Sequence, residues 1–166
     1  MTDTEVVVER RIAAPVDRVW DALTDLESAP RILSGVERVE VLTPGPFAEG
    51  TRWRETRRML GREATEEMYV TACEKPGSFV VEADSRGAHY TSAFELSREG
   101  ADATTVRMTF TARPPGGFAG VLTKLFGGLG AKSVSQSIEK DLAEVAASVE
   151  RPEPEPETGT APGPEA

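Results

Sequence analysis

The sequence has almost none of the residues that build metal centres or disulfides. Cys73 is the single cysteine among 166 residues, so a disulfide within the chain is impossible and a cysteine-rich zinc site is excluded. His89 is the single histidine, which excludes an HExxH motif and any centre built from several histidines. We therefore expect neither a metal nor a cofactor.

Long apolar runs and an excess of positive charge are also missing. No apolar stretch approaches the roughly 20 residues that span a bilayer, and the opening residues are acidic rather than built like a secretion signal. The 19 basic and 28 acidic residues give a formal net charge of −9, whereas binding to phosphate backbones requires clustered Lys and Arg. We expect a cytoplasmic protein that neither binds nucleic acid nor inserts stably into a membrane.

The remaining composition suits one folded domain followed by a tail. Hydrophobic residues make up 39% of the chain, enough for one core. The last sixteen residues differ, because they contain five prolines and four glutamates. Such a segment cannot bury enough apolar surface to offset its ordering entropy. We expect a domain over residues 1–150 and a disordered acidic tail over 151–166.

Periodicity predicts the elements of the domain. A two-residue alternation indicates strands, and apolar residues at three- and four-residue spacing indicate helices. The predicted helices cover 15–24 and 27–33, with a long helical pattern from Phe118 to Val149 that glycines interrupt at 127, 128 and 130. These glycines either bend the helix for ligand entry or let it pack close to the sheet. The predicted strands are 5–12, 36–42, 51–59, 63–73, 78–84, 90–96 and 104–112.

The order of these elements favours an α+β fold in which an antiparallel sheet curls around the last helix. The segment Ile12–Asp25, IAAPVDRVWDALTD, resembles the opening of the START, polyketide cyclase and birch-pollen-allergen superfamily, SRPBCC. Residues 50–53, 94–96 and 105–108 are similar to strand signatures of that superfamily. The resemblance, which is to the bacterial polyketide cyclase-like branch, covers about residues 4–149.

This resemblance implies a helix-grip fold, in which a seven-stranded antiparallel sheet wraps a long C-terminal helix and encloses an elongated pocket. Members bind or transform lipids, sterols, polyketides and other hydrophobic small molecules. The superfamily has no universal catalytic motif, so the resemblance assigns no catalytic residue.

Strand alternation predicts which side chains face the pocket. On the fourth strand, the same rule places Glu66 and Ala72 on the inner face with Met68 and Val70. On the long helical pattern, the apolar stripe can serve both core and pocket. The predicted ligand-binding residues are Trp53, Arg57, Met68, Phe79, Tyr90, Ser92, Phe94, Met108, Phe110, Phe118, Leu122 and Phe126.

Charged residues on the inner face need partners, because an unpaired buried charge is costly. If Gly61-Arg62 forms the hairpin turn, Arg57 lies opposite Glu66; if Leu60-Gly61 does, Glu55 lies opposite Glu66. We favour the first register because it pairs opposite charges. The three side chains then either orient a polar group of the ligand, or form a structural ion-pair cluster or reach solvent.

Two other residues have simple interpretations. His89 falls on the outward phase beside the Arg86-Gly87 turn, which favours an exposed side chain over a catalytic one. Cys73 ends a strand out of phase with Met68 and Val70, which is typical of an ordinary half-buried thiol.

Three functions are consistent with the sequence. The favoured one is binding of a small hydrophobic or amphipathic ligand that is lipid-, polyketide- or aromatic-like. The first alternative is a cyclase or dehydratase, with Glu55, Glu66 and Tyr90 as catalytic candidates and Arg57 as an anion or enolate stabiliser. The second is a protein-interaction or assembly module. The chain is either a monomer or a homodimer, paired through an edge strand or the apolar helix surface.

Overall fold

The described part of the chain forms one sheet with three helices and a short 3₁₀ turn. The computed structural model describes residues 4–59, 61–113 and 130–150. None of the helices within these ranges is long and apolar enough to cross a membrane. The elements are β1 (Thr4–Ile12), α1 (Val16–Thr24), a 3₁₀ turn (Leu26–Ser28), α2 (Ala29–Ile32), β2 (Val36–Val41), β3 (Arg52–Met59), β4 (Arg62–Glu74), β5 (Ser78–Ser85), β6 (Ala88–Arg98), β7 (Thr104–Arg113) and α3 (Ala131–Val149).

The sheet has seven antiparallel strands in the order β1-β7-β6-β5-β4-β3-β2. Strands β2 to β7 follow one another as a meander, and β1 closes the other edge by pairing with β7. Helix α3 packs against β1, α1 and α2 on one face of this sheet. The predicted α+β fold, an antiparallel sheet around the C-terminal helix, is confirmed.

The core lies between the inner face of the sheet and the helices. On β7, Val106 and Met108 are buried while Arg107 is exposed, as the predicted alternation requires. Trp20 on α1 and Leu142 on α3 are each only 2% exposed. A fully buried side chain of this kind contributes about 1.5–3 kcal/mol of hydrophobic stabilisation, so α1 and α3 are held to the sheet mainly by this face.

The β3–β4 hairpin has a different register from the one predicted. Glu55 pairs with Glu66, and Arg57 pairs with Ala64 rather than with Glu66. Gly61 has a φ of 76° and is the second residue of the two-residue loop. Glycine takes this left-handed backbone without strain. The backbone conformation of Gly61 therefore fixes this two-residue loop and with it the register of the hairpin. Arg57 is paired with side chains other than Glu66.

A bulge in β4 changes which residues face inward beyond Val70. The pairing with β5 shifts between Val70 and Ala72, so that Cys73 lies opposite Phe79. The predicted inward orientation of Ala72 is wrong, because the extra residue reverses the alternation and leaves Ala72 exposed. Cys73 is half-buried as expected, but it is in phase with the core and packs against it.

Two predictions concern segments outside the described residues. The first is the apolar stripe from Phe118 to Leu129, together with the glycines at 127 and 128. The acidic tail over 151–166 is the second. The part of the long helical pattern that is described begins at Ala131, directly after Gly130.

Candidate functional site

A cavity of about 170 Å³ lies between the inner face of the sheet and the helices. Its lining is mainly apolar, with a few polar groups. The apolar lining residues are Ala22, Leu23, Leu26, Ala29, Ile32, Leu33, Phe47, Trp53, Met68, Phe79, Val81, Phe94, Met108, Ile138, Leu142 and Val145. The polar ones are Asp25, Glu55, Arg57, Ser92 and Asp141.

Packed aromatic rings form one wall of the cavity. Phe79 stacks on Phe94 with ring centroids 4.5 Å apart, and it meets Trp20 edge-on at 5.4 Å. Phe47 bridges Phe79, at 5.2 Å, and Trp53, at 6.2 Å. Such pairs add about 0.5–1.5 kcal/mol each beyond their buried area. The wall is therefore held in place by its own contacts.

The charged side of the cavity is built around Arg57, which extends from β3. Its Nε donates to Glu55 Oε1 at 2.5 Å, and its Nη2 lies 2.8 Å from Asp141 Oδ2 on α3. Trp53 Nε1 donates to the other oxygen of Glu55 at 3.3 Å. Glu55 is nearly buried, with 10% of its side chain exposed, and the side chains of Asp141 and Arg57 are 22% and 27% exposed. We call Glu55, Arg57 and Asp141 the charged triad.

Burial and pairing act in opposite directions on the triad. Burial raises the pKa of the Asp141 carboxyl above its ordinary value, and nearby Glu55 and Glu144 add to the rise, while Arg57 offsets part of it. Burial by itself would lower the pKa of Arg57, but Glu55 and Asp141 together raise it. Arg57 therefore remains a cation, and Asp141 takes up a proton more readily than an exposed aspartate.

Most of the predicted ligand-binding residues on the strands line this cavity. They are Trp53, Arg57, Met68, Phe79, Ser92, Phe94 and Met108. Of the three catalytic candidates, Glu55 lines the cavity, and Glu66 and Tyr90 are not part of its lining. Phe118, Leu122 and Phe126 lie outside the described residues.

Tyr90 and Phe110 form a separate cluster on the same face of the sheet. Their rings stack with centroids 5.8 Å apart, and Ala88 and Ala112 complete the cluster. Burial raises the pKa of the Tyr90 hydroxyl, and the charge of Glu66 raises it further. Tyr90 and Phe110, both predicted to bind the ligand, therefore contact each other but are not among the residues that line the cavity with Arg57.

Sequence reasoning missed Asp141 and Phe47. Asp141 lies three residues after Ile138 and four before Val145, so it interrupts the apolar stripe of α3 with a charge. That interruption was the available signal. Phe47 lies in the loop between β2 and β3, where no periodicity indicates the direction of a side chain.

His89 lies on the outer face of the sheet, as predicted, but it is not simply exposed. Nδ1 lies 2.6 Å from Asp84 Oδ1, and Nε2 lies 2.7 Å from Glu82 Oε1. Both carboxylates raise the pKa of the imidazole. Hydrogen bonds with Thr71 and then with His89 lower the pKa of Glu82, and hydrogen bonds with His89 and Tyr69 lower the pKa of Asp84. Across the described residues, no three His, Cys, Asp or Glu side chains are grouped to hold a metal ion.

Comparison with known proteins places the chain among related folds. The family described as "Polyketide cyclase / dehydrase and lipid transport" matches residues 3–150, and no curated protein matches the sequence. The structure of TTHA0849 from Thermus thermophilus is similar, with a TM-score of 0.72, 23% identity, and coverage of 88% of this chain and 97% of that one.

Two further solved structures have the same fold. The Zhui aromatase/cyclase from Streptomyces sp. R1128 has a TM-score of 0.69, 20% identity, and coverage of 90% of this chain and 95% of its own. Ara h 8.0201 has a TM-score of 0.68, 12% identity, and coverage of 89% of this chain and 98% of its own. At such identities the likeness shows the fold alone, and it confirms the helix-grip arrangement expected from the sequence.

Proposed function

Because the chain belongs to the polyketide cyclase/dehydrase and lipid-transport family, we propose that it binds a small hydrophobic or amphipathic ligand between the sheet and α3. The observation that carries this proposal is the apolar cavity with the charged triad on one side. Ligand sites combine a mainly apolar lining with a few placed polar groups that fix orientation. An apolar cavity of about 150 Å³ holds one benzene ring, so the volume here suits an aromatic ring or a short acyl segment.

The charged triad supports a role beyond packing. Apolar residues of the same volume often stabilise a core as well as a buried ion pair does. Stability alone therefore gives little reason to place Glu55, Arg57 and Asp141 in an apolar wall. We assign to them the orientation of the polar end of the ligand.

Native mass spectrometry of the purified protein tests this proposal, combined with titration of 4-butylbenzyl alcohol followed by the fluorescence of the two tryptophans, of which Trp53 lines the cavity. A bound small-molecule mass that is lost on denaturation supports it, as does saturable binding of the alcohol. A bare chain mass together with no binding of the alcohol contradicts it, and favours a role at the protein surface.

A matched pair of variants locates the binding. Ser92→Leu fills the cavity from β6, whereas Ala93→Leu adds the same side chain at the next residue, outside the cavity lining. We expect the first to weaken binding by at least about tenfold, since it removes volume the ligand needs, and the second to bind like the wild type. Equal affinities of the two variants would place the ligand elsewhere.

A cyclase or dehydrase activity is the second candidate, and Asp141 favours it. A carboxyl whose pKa is raised and which faces a cavity suits general acid–base catalysis. Arg57 beside it, 2.8 Å from Asp141 Oδ2, would position that carboxyl. In this role Asp141→Asn would abolish turnover of a polyketide-like substrate and leave its binding intact. Loss of binding and turnover in parallel would instead assign Asp141 to binding.

A further inference from the structure

We infer that the cavity selects ligands whose polar end is neutral or cationic, and that it discriminates against carboxylates. This inference rests on the proposed function, because it concerns the ligand of the same cavity. It follows from how the positive charge of Arg57 is already used.

Two carboxylates surround the guanidinium of Arg57. Glu55 accepts its Nε–H at 2.5 Å, and Asp141 lies 2.8 Å from Nη2. With both carboxyls ionised the triad carries a net charge of −1, and with one of them protonated it carries zero. The triad is therefore not positive in either state, and Arg57 is not a free receptor for an anion.

The surroundings of the triad are also acidic. Asp25 lines the cavity, and Glu66 pairs directly with Glu55 across the β3–β4 hairpin. Glu144 lies close enough to Asp141 to affect its ionisation. Among the described residues that line the cavity, Arg57 is the one cation. These charges disfavour the binding of a further anion.

A hydroxyl or ammonium group on the ligand is favoured at the same place, because it can donate hydrogen bonds to the carboxylates. The carboxylate oxygens of Glu55 and Asp141 have lone pairs beyond those used by Trp53 and Arg57, and they accept hydrogen bonds from such donors. A ligand carboxylate offers no proton to donate and adds a like charge at a half-buried site, where screening by water is weak. The cavity therefore favours ligands with a neutral or cationic polar end over ligands with a carboxylate.

Three ligands that share one apolar body test the inference at pH 7 on the wild-type protein. They are 4-butylbenzyl alcohol, 4-butylbenzylamine and 4-butylbenzoate, compared by calorimetry and Trp fluorescence. We expect the benzoate to bind at least about tenfold more weakly than the alcohol. Equal or tighter binding of the benzoate overturns the inference and leaves the proposed function standing. If none of the three binds, the proposed function fails and the inference fails with it.

Charge variants provide an independent readout. Glu55→Gln combined with Asp141→Asn leaves Arg57 unbalanced, so the benzoate should gain at least about tenfold in affinity over the wild type. Glu67→Gln, which removes a carboxylate from an exposed position on β4, should leave the order of the three affinities unchanged. An unchanged preference in the double variant contradicts the charge argument. The comparison on the wild type holds even if the double variant fails to fold.

Discussion

Arg57 on β3 and Asp141 on α3 join the sheet to the C-terminal helix beside the cavity, with 2.8 Å between Nη2 and Oδ2. One turn later on the helix, Glu144 accepts hydrogen bonds from Ser34 N and Oγ, each at 2.8 Å. Two acidic residues of α3 therefore hold the helix against the β2–β3 side of the sheet. The first of these contacts is also part of the proposed ligand site.

Asp141 should make stability fall as pH rises. Its pKa is raised in the folded state, so the folded chain holds this proton over a pH range in which the unfolded chain has lost it. Stability is therefore lost from the ordinary aspartate pKa, about 3.9, up to the folded value. Urea unfolding of the wild type and Asp141→Asn between pH 3.5 and 7 measures this. Relative to the variant, the wild type should lose stability as pH rises, and a parallel pair of curves would contradict the assignment.

His89 should contribute stability that disappears at higher pH. Its pKa is raised by Asp84 and Glu82 above the ordinary value of 6.5. The contribution is thus fully present below pH 6.5 and is lost as pH rises through the folded value. His89→Gln should be less stable than the wild type at pH 5.5, with a gap that narrows toward pH 9. Since His89 is the single histidine, an NMR titration reads its pKa directly, and a value at or below 6.5 refutes the prediction.

Leu142 should be among the most costly positions to truncate. The side chain is 2% exposed and lines the cavity from α3. Leu142→Ala should lower the free energy of unfolding by about 2–5 kcal/mol, because it removes buried methyl groups and leaves space behind. Lys140→Ala, at an exposed position of the same helix, should change stability by about 0.5 kcal/mol or less. Similar losses in urea unfolding for the two variants would mean that α3 is not held through this face.

Gly61 should resist substitution for a purely backbone reason. Its φ is 76°, and a Cβ added there would meet no atom within 4 Å. Gly61→Ala should therefore cost about 1–2 kcal/mol through backbone strain alone. Gly77→Ala serves as the control, because a Cβ there makes only an ordinary contact at 3.7 Å with the Glu74 carbonyl oxygen and no positive φ is involved. Thermal or urea unfolding compares the two, and equal losses contradict the role of the left-handed turn.

The sequence predicted the fold well because each element has its own local signal. The alternation on β7 and the helical spacing of Val16, Val19 and Trp20 both correspond to buried faces. β6 begins at Ala88 rather than Tyr90 because Arg86 and Gly87 both have positive φ, which makes a tight turn and lets the strands continue to its edge.

The site was less predictable because it depends on contacts between distant elements. Arg57 was expected to pair with Glu66 across its own hairpin. It pairs instead with Glu55 and with Asp141, which lies on a helix 84 residues later in the chain. The inward orientation of Cys73 depends on a bulge between Val70 and Ala72. Neither an ion pair between distant elements nor a bulge has a periodic signal in the sequence.

The pairing of β1 with β7 has a consequence for how the protein is made. Thr4 pairs with Ala112 and Ile12 with Thr104, whereas each neighbouring pair from β2 to β7 is adjacent in the chain. On a ribosome, the meander can form hairpin by hairpin, but the first strand must wait for the last, and closing such a long loop slows folding. Val6 and Val8 remain uncovered during that wait, which makes the nascent chain prone to aggregation. The assembled sheet is thus a late product of synthesis, and the cavity, which Met108 of β7 lines, forms only after that strand has been translated.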